Sequence, residues 1–426
     1  MLWRALVVLA LATPATLATL LTLENASVGV ALAQLPPTAT DLVREPVIDY
    51  FRKPPADPVA LLRQQIDNGT ATLTYEPEQG YLRSVMRALH LEADSQVLVY
   101  SKTSVQALRI NPKNPRGIYF GDAVALGYIR GADYLEFAAQ DPQQGTIFYT
   151  LDQKPSDRPL IQRRDFCLSC HISTATLEVP GLLVRSIPTS PTGSTLPQLG
   201  NAVVDHRTPF AERWGGYYVT GRHGSIEHLG NALVDRNDPQ ASHATAQNVM
   251  SLRDRFDVDA YPSPHADIAA LLVFDHQMRM TNLLTRAGWD VRVAAAKQQH
   301  PAASNRELAG AIVDYMLFVD EAPLTSKIEG PSGFAQRFSS IGPRDRNGRS
   351  LRELALDTRL LRYPCSYMIY SDAFAQLPAA IHDAVYLRLA DVLTGKVRDA
   401  KYQHLSAPDR QAVLEILRDT KSDWRF

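Results

Sequence analysis

Short runs of β-branched and aromatic residues stand out in the first third of the chain. Between about 95 and 153 they alternate with Gly, Pro, Asn and Asp, and this pattern predicts a meander of about five strands. The runs are 96–100, 117–120, 124–129, 134–139 and 146–150. Two short helices are predicted before the meander, at 58–68, where Asp57-Pro58 supplies an N-cap and a first-turn proline, and at 77–91.

Strand signals return over residues 196–235. Residues 214–220 and 225–229 flank a Gly-Arg-His-Gly segment, which predicts a hairpin. Two similar hexapeptides, 200–205 and 230–235, predict two equivalent strands or turns, since two copies are too few for a solenoid.

From residue 263 onward the apolar positions follow a helical period. The predicted helices are 264–287 (with Ser263-Pro264 as its start), 305–320, 379–394 and a last helix from the cap Ser406 to about 419. The predicted class is therefore α+β, with N-terminal short helices, a β-meander, a mid-chain segment that carries a cysteine pair and a mainly helical C-terminal part. We prefer one body over 34–426, and a separate helical part over 301–426, with a boundary near 300, is the alternative.

The N-terminus has the pattern of an export signal. Arg4 is followed by an apolar stretch, and Ala31-Leu32-Ala33 before Gln34 is a cleavage pattern, so we assign residues 1–33 to a signal peptide. An uncleaved membrane anchor is the alternative, because the segment after Leu23 is long for a cleavage region. The sequence predicts a bacterial protein that is exported, with the periplasm as its expected location.

Charge and cysteine content narrow the function classes. The chain has 426 residues, a formal net charge of −1 and no basic stripe, which argues against a nucleic-acid partner. It has only three cysteines, so it does not depend on a disulfide framework. Two of them lie three residues apart, and we interpret the third, Cys365, as a buried apolar residue.

Residues 167–171 read Cys-Leu-Ser-Cys-His. Two thiols at this spacing can add to the two vinyl groups of one haem, and the adjacent imidazole can ligate its iron. Cys-x-x-Cys-His is the attachment signature of c-type haem. The motif predicts one covalent haem c, bound through Cys167 and Cys170, with His171 as the proximal iron ligand. Arg163 and Arg164, just before the motif, are candidate partners for its propionates.

Three other interpretations explain the motif less well. A Cys167–Cys170 disulfide would close a very short loop and would leave His171 without a role. A zinc site needs about two more ligands at a recognisable spacing. A thioredoxin-like redox pair follows a strand at the start of a helix and carries no histidine after its second cysteine.

At residues 167–171 the chain resembles c-type cytochromes. Unlike the small soluble cytochromes c, it carries the motif mid-chain and after predicted strands. The flanking segments 146–153, 205–230 and 363–370 are similar to those of large secreted bacterial cytochrome c domain proteins. This resemblance supplies neither an activity nor a sixth iron ligand.

The predicted helix 264–287 offers candidates for the second axial position. His276 lies near the middle of its apolar face, and Met280 is one turn further along. We consider His276 a candidate distal ligand or pocket residue and Met280 a weaker one. The ordinary alternative is a hydrogen-bonded core histidine with Met280 as packing.

The leading functional hypothesis is a periplasmic monohaem c-type cytochrome that transfers single electrons. A haem c oxidoreductase, peroxidase-like and with an open distal site, is the rival, because residues 34–426 far exceed what one electron carrier needs. A haem-based gas-binding module is the third hypothesis. The expected partners are periplasmic redox proteins, with membrane contact only if the N-terminal segment stays uncleaved.

Overall fold

The computed structural model describes residues 37–235, 248–299 and 302–426. The signal peptide predicted over 1–33 lies outside these residues. The helices are α1 (Pro37–Arg44), α2 (Pro58–Asp67), α3 (Leu82–Ala88), α4 (Leu168–His171), α5 (Ile268–Ala296), α6 (Ala302–Met316), α7 (Phe334–Ser340), α8 (Asp372–Ala375), α9 (Ala379–Leu393) and α10 (Ala407–Thr420). Within the described ranges, no helix is both long and apolar enough to cross a membrane.

The strands form two antiparallel sheets. They are β1 (Val97–Val99), β2 (Arg116–Phe120), β3 (Val124–Tyr128), β4 (Tyr134–Asp141), β5 (Gly145–Asp152), β6 (Ile161–Arg163), β7 (Val184–Ser186), β8 (Ala202–Val204) and β9 (Tyr217–Tyr218). The main sheet has the order β6-β5-β4-β3-β2-β1-β9, and β7 pairs with β8. The predicted meander is thus present as β1–β5, and the predicted α+β class with a helical C-terminal part is confirmed.

Alternation along the strands gives the main sheet two different faces. Leu135, Phe137 and Leu151 point to one face and pack in a core with the N-terminal helices. Residues of the opposite face near β1–β3 pack against α5, as shown by the Phe120 and Phe274 rings, whose centroids are 4.9 Å apart. This second core continues through α6, α9 and α10, so helices on both sides of residue 300 share it.

Local capping explains the helices that the sequence located well. The Asp57 carboxylate accepts hydrogen bonds from the backbone N–H groups of Val59 and Ala60, and Pro58 occupies the first turn of α2. Ser406 and Asp409 form the predicted capping box at the start of α10. Both caps depend only on neighbouring residues.

Other predicted elements are wrong. The expected hairpin over 214–229 does not form, because β9 pairs with β1 and the Asn231 side chain bonds the backbone N–H and C=O of Val219. The two hexapeptides are not equivalent, since the first contains β8 and the second is irregular. The helix predicted from 264 starts at Ile268, capped by Asp267, and the helix predicted over 77–91 is limited to α3.

Candidate haem-attachment site

A single helical turn at the edge of the main sheet presents the Cys-x-x-Cys-His motif. Strand β6 pairs with β5, and a 3-10 turn over Asp165–Cys167 leads directly into α4. Leu168 is fully buried and fixes the turn to the core. Residues three and four apart share one side of a helical turn, so Cys170 and His171 lie beside Cys167.

The His171 ring is held by one hydrogen bond to the backbone. Its Nδ1 lies 3.0 Å from the carbonyl oxygen of Gly181. A carbonyl can only accept, so Nδ1 carries the proton, and Nε2 keeps its lone pair in the neutral ring. Burial, with a smaller effect of Arg116, lowers the pKa of His171, which favours this neutral form. Among the described residues Nε2 has no hydrogen-bond partner, and it is therefore available as an iron ligand.

Both cysteines of the motif are free thiols. Cys167 is partly buried and Cys170 is exposed. Burial is the main reason that the pKa of Cys167 rises to about 12, with the Glu136 and Asp165 carboxylates adding to it. A redox-active thiol needs a lowered pKa, so Cys167 does not fit a thioredoxin-like pair. In the described part of the chain, no group of three or more His, Cys, Asp or Glu side chains that could hold a metal ion is found.

Aromatic and charged side chains of the sheet surround the motif. The Phe148 ring packs on the His171 ring at a centroid distance of 4.6 Å. Glu136 and Arg116 form a half-buried ion pair of 3.3 Å on the same sheet face as Phe148. Both charges are near enough to affect the pKa of His171, and Glu136 also affects that of Cys167. The site therefore combines one imidazole, two thiols and one ion pair.

The sequence did not single out Phe148, Glu136, Arg116 or Gly181. The first three meet the motif only through the register of β2, β4 and β5, which no local pattern encodes. The Pro180-Gly181 dipeptide is the one local signal, since it marks the turn that brings the Gly181 carbonyl back to His171.

Arg163 and Arg164, just before the motif, differ in how many of their guanidinium N–H groups are already hydrogen-bonded. Arg163 donates to Asp165 and to the backbone carbonyl of Tyr50, and its guanidinium lies over the Tyr50 ring. Arg164 makes one side-chain hydrogen bond, from Nε to Thr150 Oγ1 at 2.8 Å. Arg164 therefore keeps more donors for a carboxylate near Cys167 than Arg163 does.

His276 lies in a separate buried cluster. Its Nδ1 is 2.8 Å from Nδ1 of His206, and its Nε2 is 2.7 Å from Oγ of Ser366. The ring also stacks on Phe318 and Tyr315. Both ring nitrogens thus have partners within the protein, and these contacts favour the structural role over the predicted distal-ligand role.

Met280 is fully buried in the same helix and projects in a similar direction to His276. Asn282, on the other face of α5, donates to the backbone carbonyl of Leu182, close to the His171-bearing segment. At 100° per residue, Met280 and Asn282 point about 160° apart. The geometry therefore gives no support to Met280 as a distal ligand, and that role stays a prediction.

Comparison with known proteins finds no matching family model, no matching curated protein and no matching solved structure.

Proposed function

We propose that this protein is an exported monohaem c-type cytochrome that transfers single electrons. The observation that carries the proposal is the state of His171. Its Nδ1 donates to the Gly181 carbonyl, its Nε2 has no hydrogen-bond partner among the described residues, and the ring lies on one helical turn with two unpaired thiols. A proximal haem ligand needs this arrangement, because the hydrogen bond fixes the tautomer and the ring orientation.

The residues present fit a covalently bound haem c. The thiols of Cys167 and Cys170 would each add across one vinyl group, with sulfur bonding to one carbon and hydrogen to the other, so no external oxidant is required. His171 would ligate the iron through Nε2, and Arg164 would pair with a propionate. When bound, the haem supplies a ferric/ferrous couple.

Exposure of the motif favours electron exchange with a partner protein. The Cys170 side chain is exposed, so a group attached through it would lie at the protein surface. On the other side, the Phe148 ring packs against the His171 ring, which is only partly exposed. Such burial is one of the protein's means of setting a reduction potential. The expected partners are redox proteins of the periplasm.

A second candidate function is a haem c oxidoreductase, and the Glu136–Arg116 pair favours it. These two charges lie beside the ligand imidazole, so they would act through His171 on how easily the iron is oxidised and not directly on a substrate at the opposite axial position. Ser104 Oγ donates to Oε1 of Glu136 at 2.6 Å, which orients this carboxylate.

Visible absorption spectra of the protein produced with haem c maturation proteins separate the two functions. Electron transfer predicts low-spin spectra in both the oxidised and reduced protein, unchanged by cyanide. A high-spin ferric spectrum that shifts with cyanide or peroxide would overturn electron transfer and support the oxidoreductase. The Glu136→Gln variant should then react with peroxide at a changed rate, while Glu307→Gln, an exposed control on α6, reacts as the unmodified protein does.

A further inference from the structure

Two adjoining cavities lie between α5, α6 and the segment that follows the cysteine motif. One, of about 310 Å³, is lined by the cations Arg279, Arg207 and Lys401 and by the carboxylates Asp314 and Asp320, and we call it the basic cavity because cations outnumber carboxylates in its lining. The other, of about 420 Å³, is lined mainly by apolar side chains such as Leu177, Leu308 and Ile312, together with the mutually paired charges of Arg286, Asp290 and Glu178, and we call it the apolar cavity. Both are lined by Leu283 and Ala311, so these two residues mark their junction.

Arg279 is the cation of the basic cavity that lacks a carboxylate partner among the described residues. Arg207 is paired with Asp205 at 2.6 Å, and Lys401 with Asp314 at 2.6 Å. Within the described ranges the Arg279 side chain makes one hydrogen bond, of 3.3 Å, to the backbone carbonyl of Ala175. Its Nε is buried and has no acceptor in the described part of the chain.

A buried guanidinium donor without an acceptor is costly, and a planar carboxylate matches its paired N–H groups. The basic cavity also has the size of a small-molecule site. Beyond the junction, the leucines and isoleucine of the apolar cavity offer a surface for a hydrocarbon chain.

The backbone beside the apolar cavity is strained. Leu177 and Glu178 both adopt left-handed conformations, with φ of 61° and 60°. Two consecutive residues with side chains rarely do so, and such strain concentrates at ligand sites. Both residues line the apolar cavity.

We infer that these cavities bind an amphipathic monocarboxylate, with its carboxylate on Arg279 and its alkyl chain passing Leu283 and Ala311 into the apolar cavity. This site is distinct from the cysteine motif and does not depend on the haem proposal. Arg286 at the far end is already paired with Asp290 and Glu178, so the head group belongs at Arg279.

Titration calorimetry of the full-length protein with octanoate and acetate tests the inference. Octanoate should bind saturably and at least about tenfold more tightly than acetate, because its chain is buried. Arg279→Gln should weaken octanoate binding by about 10- to 100-fold. Arg292→Gln, a control on the same helix that contacts neither cavity, should leave it unchanged.

A second variant changes the junction of the two cavities and leaves Arg279 unchanged. Ala311 is exposed on α6, so Ala311→Leu should fold normally and narrow the passage. It should weaken octanoate binding and leave acetate binding unchanged. Absence of octanoate binding, equal affinities for octanoate and acetate, or full affinity in Arg279→Gln would overturn the inference.

Discussion

His276 and His171 differ in what their ring nitrogens contact. His171 uses one nitrogen for a backbone carbonyl, and its other nitrogen has no partner in the described part of the chain. His276 uses both, with His206 and Ser366. A sequence pattern shows only that a histidine lies on an apolar helix face, whereas its role depends on these long-range partners. Cys167, Cys170 and His171 are recognised as candidates from adjacent residues, whereas a candidate for the second axial position depends on contacts between distant residues.

Replacing His276 with Ala tests this distinction. We expect a loss of about 1 to 3 kcal/mol in unfolding free energy, because His206 and Ser366 lose a buried partner. The haem absorption spectrum of the variant should match that of the unmodified protein. A change in spin state or reduction potential would instead restore His276 as a distal residue. Urea unfolding and visible spectroscopy on the same sample give both results.

Buried carboxylates should make the stability depend on pH. Burial raises the pKa of Glu321 to about 7 from an ordinary value of 4.5, although its Oε1 accepts a hydrogen bond from the Leu360 N–H. The folded state therefore binds a proton more tightly than the unfolded state between these values. Unfolding free energy should fall as pH rises from about 4.5 to 7.

The Glu321→Gln variant keeps the acceptor and removes the charge. At pH 8 it should be more stable than the unmodified protein by about 1 to 3 kcal/mol, and at pH 4 the two should agree. Some pH dependence should remain, because burial also raises the pKa of Asp275 to about 7. Identical urea midpoints at pH 8 would contradict the expectation.

Helices and strands whose ends are fixed by neighbouring residues could be predicted from the sequence. Those whose ends or pairing are fixed by distant residues could not. Local sequence patterns predict the caps of α2 and α10, and they predict strands β1–β5, which turn-forming residues separate. The start of α5 was misplaced because Asp267 caps the helix and also accepts hydrogen bonds from Ser332, far along the chain. The false hairpin at 214–229 has the same cause, since Trp214 turns with a φ of 69° and β9 joins β1 instead.

The capping box of α10 has a measurable consequence. Ser406→Ala removes the hydroxyl that accepts a hydrogen bond from the Asp409 N–H, and it should cost about 1 kcal/mol of unfolding free energy. Ser304→Ala, an exposed position in the first turn of α6, is the matched control and should change stability by less than about 0.5 kcal/mol. Equal effects in urea unfolding would argue against the cap.

In the whole molecule, the haem-attachment hypothesis depends on only five consecutive residues. The side chains that surround the motif could not be predicted from the sequence. Glu136, Arg116 and Phe148 reach the motif only because the sheet has one register and α4 packs at its edge. A one-residue slip of β4 would turn Glu136 to the opposite face. Sequence alone therefore predicts the attachment chemistry but not the side chains that surround the motif.

Truncation after residue 299 tests whether the C-terminal helices form a separate unit. Buried residues of α5 such as Val273 and Leu284 belong to one core with α6, α9 and α10. Removing those helices would expose this surface to water, so we expect the truncated chain to be insoluble or to lack a cooperative thermal transition. A soluble fragment with a transition near that of the full chain would support a boundary near 300.

Covalent attachment of one haem through Cys167 and Cys170 can be measured by intact-protein mass spectrometry under denaturing conditions, which remove any haem that is not covalently bound. The protein should be produced with bacterial haem c maturation proteins, alongside the Cys167→Ser/Cys170→Ser double variant and the buried-thiol control Cys365→Ser. We expect the added mass of one haem on the unmodified chain and on Cys365→Ser, and no added mass on the double variant. An unmodified chain without added haem mass, or haem retained by the double variant, would contradict it.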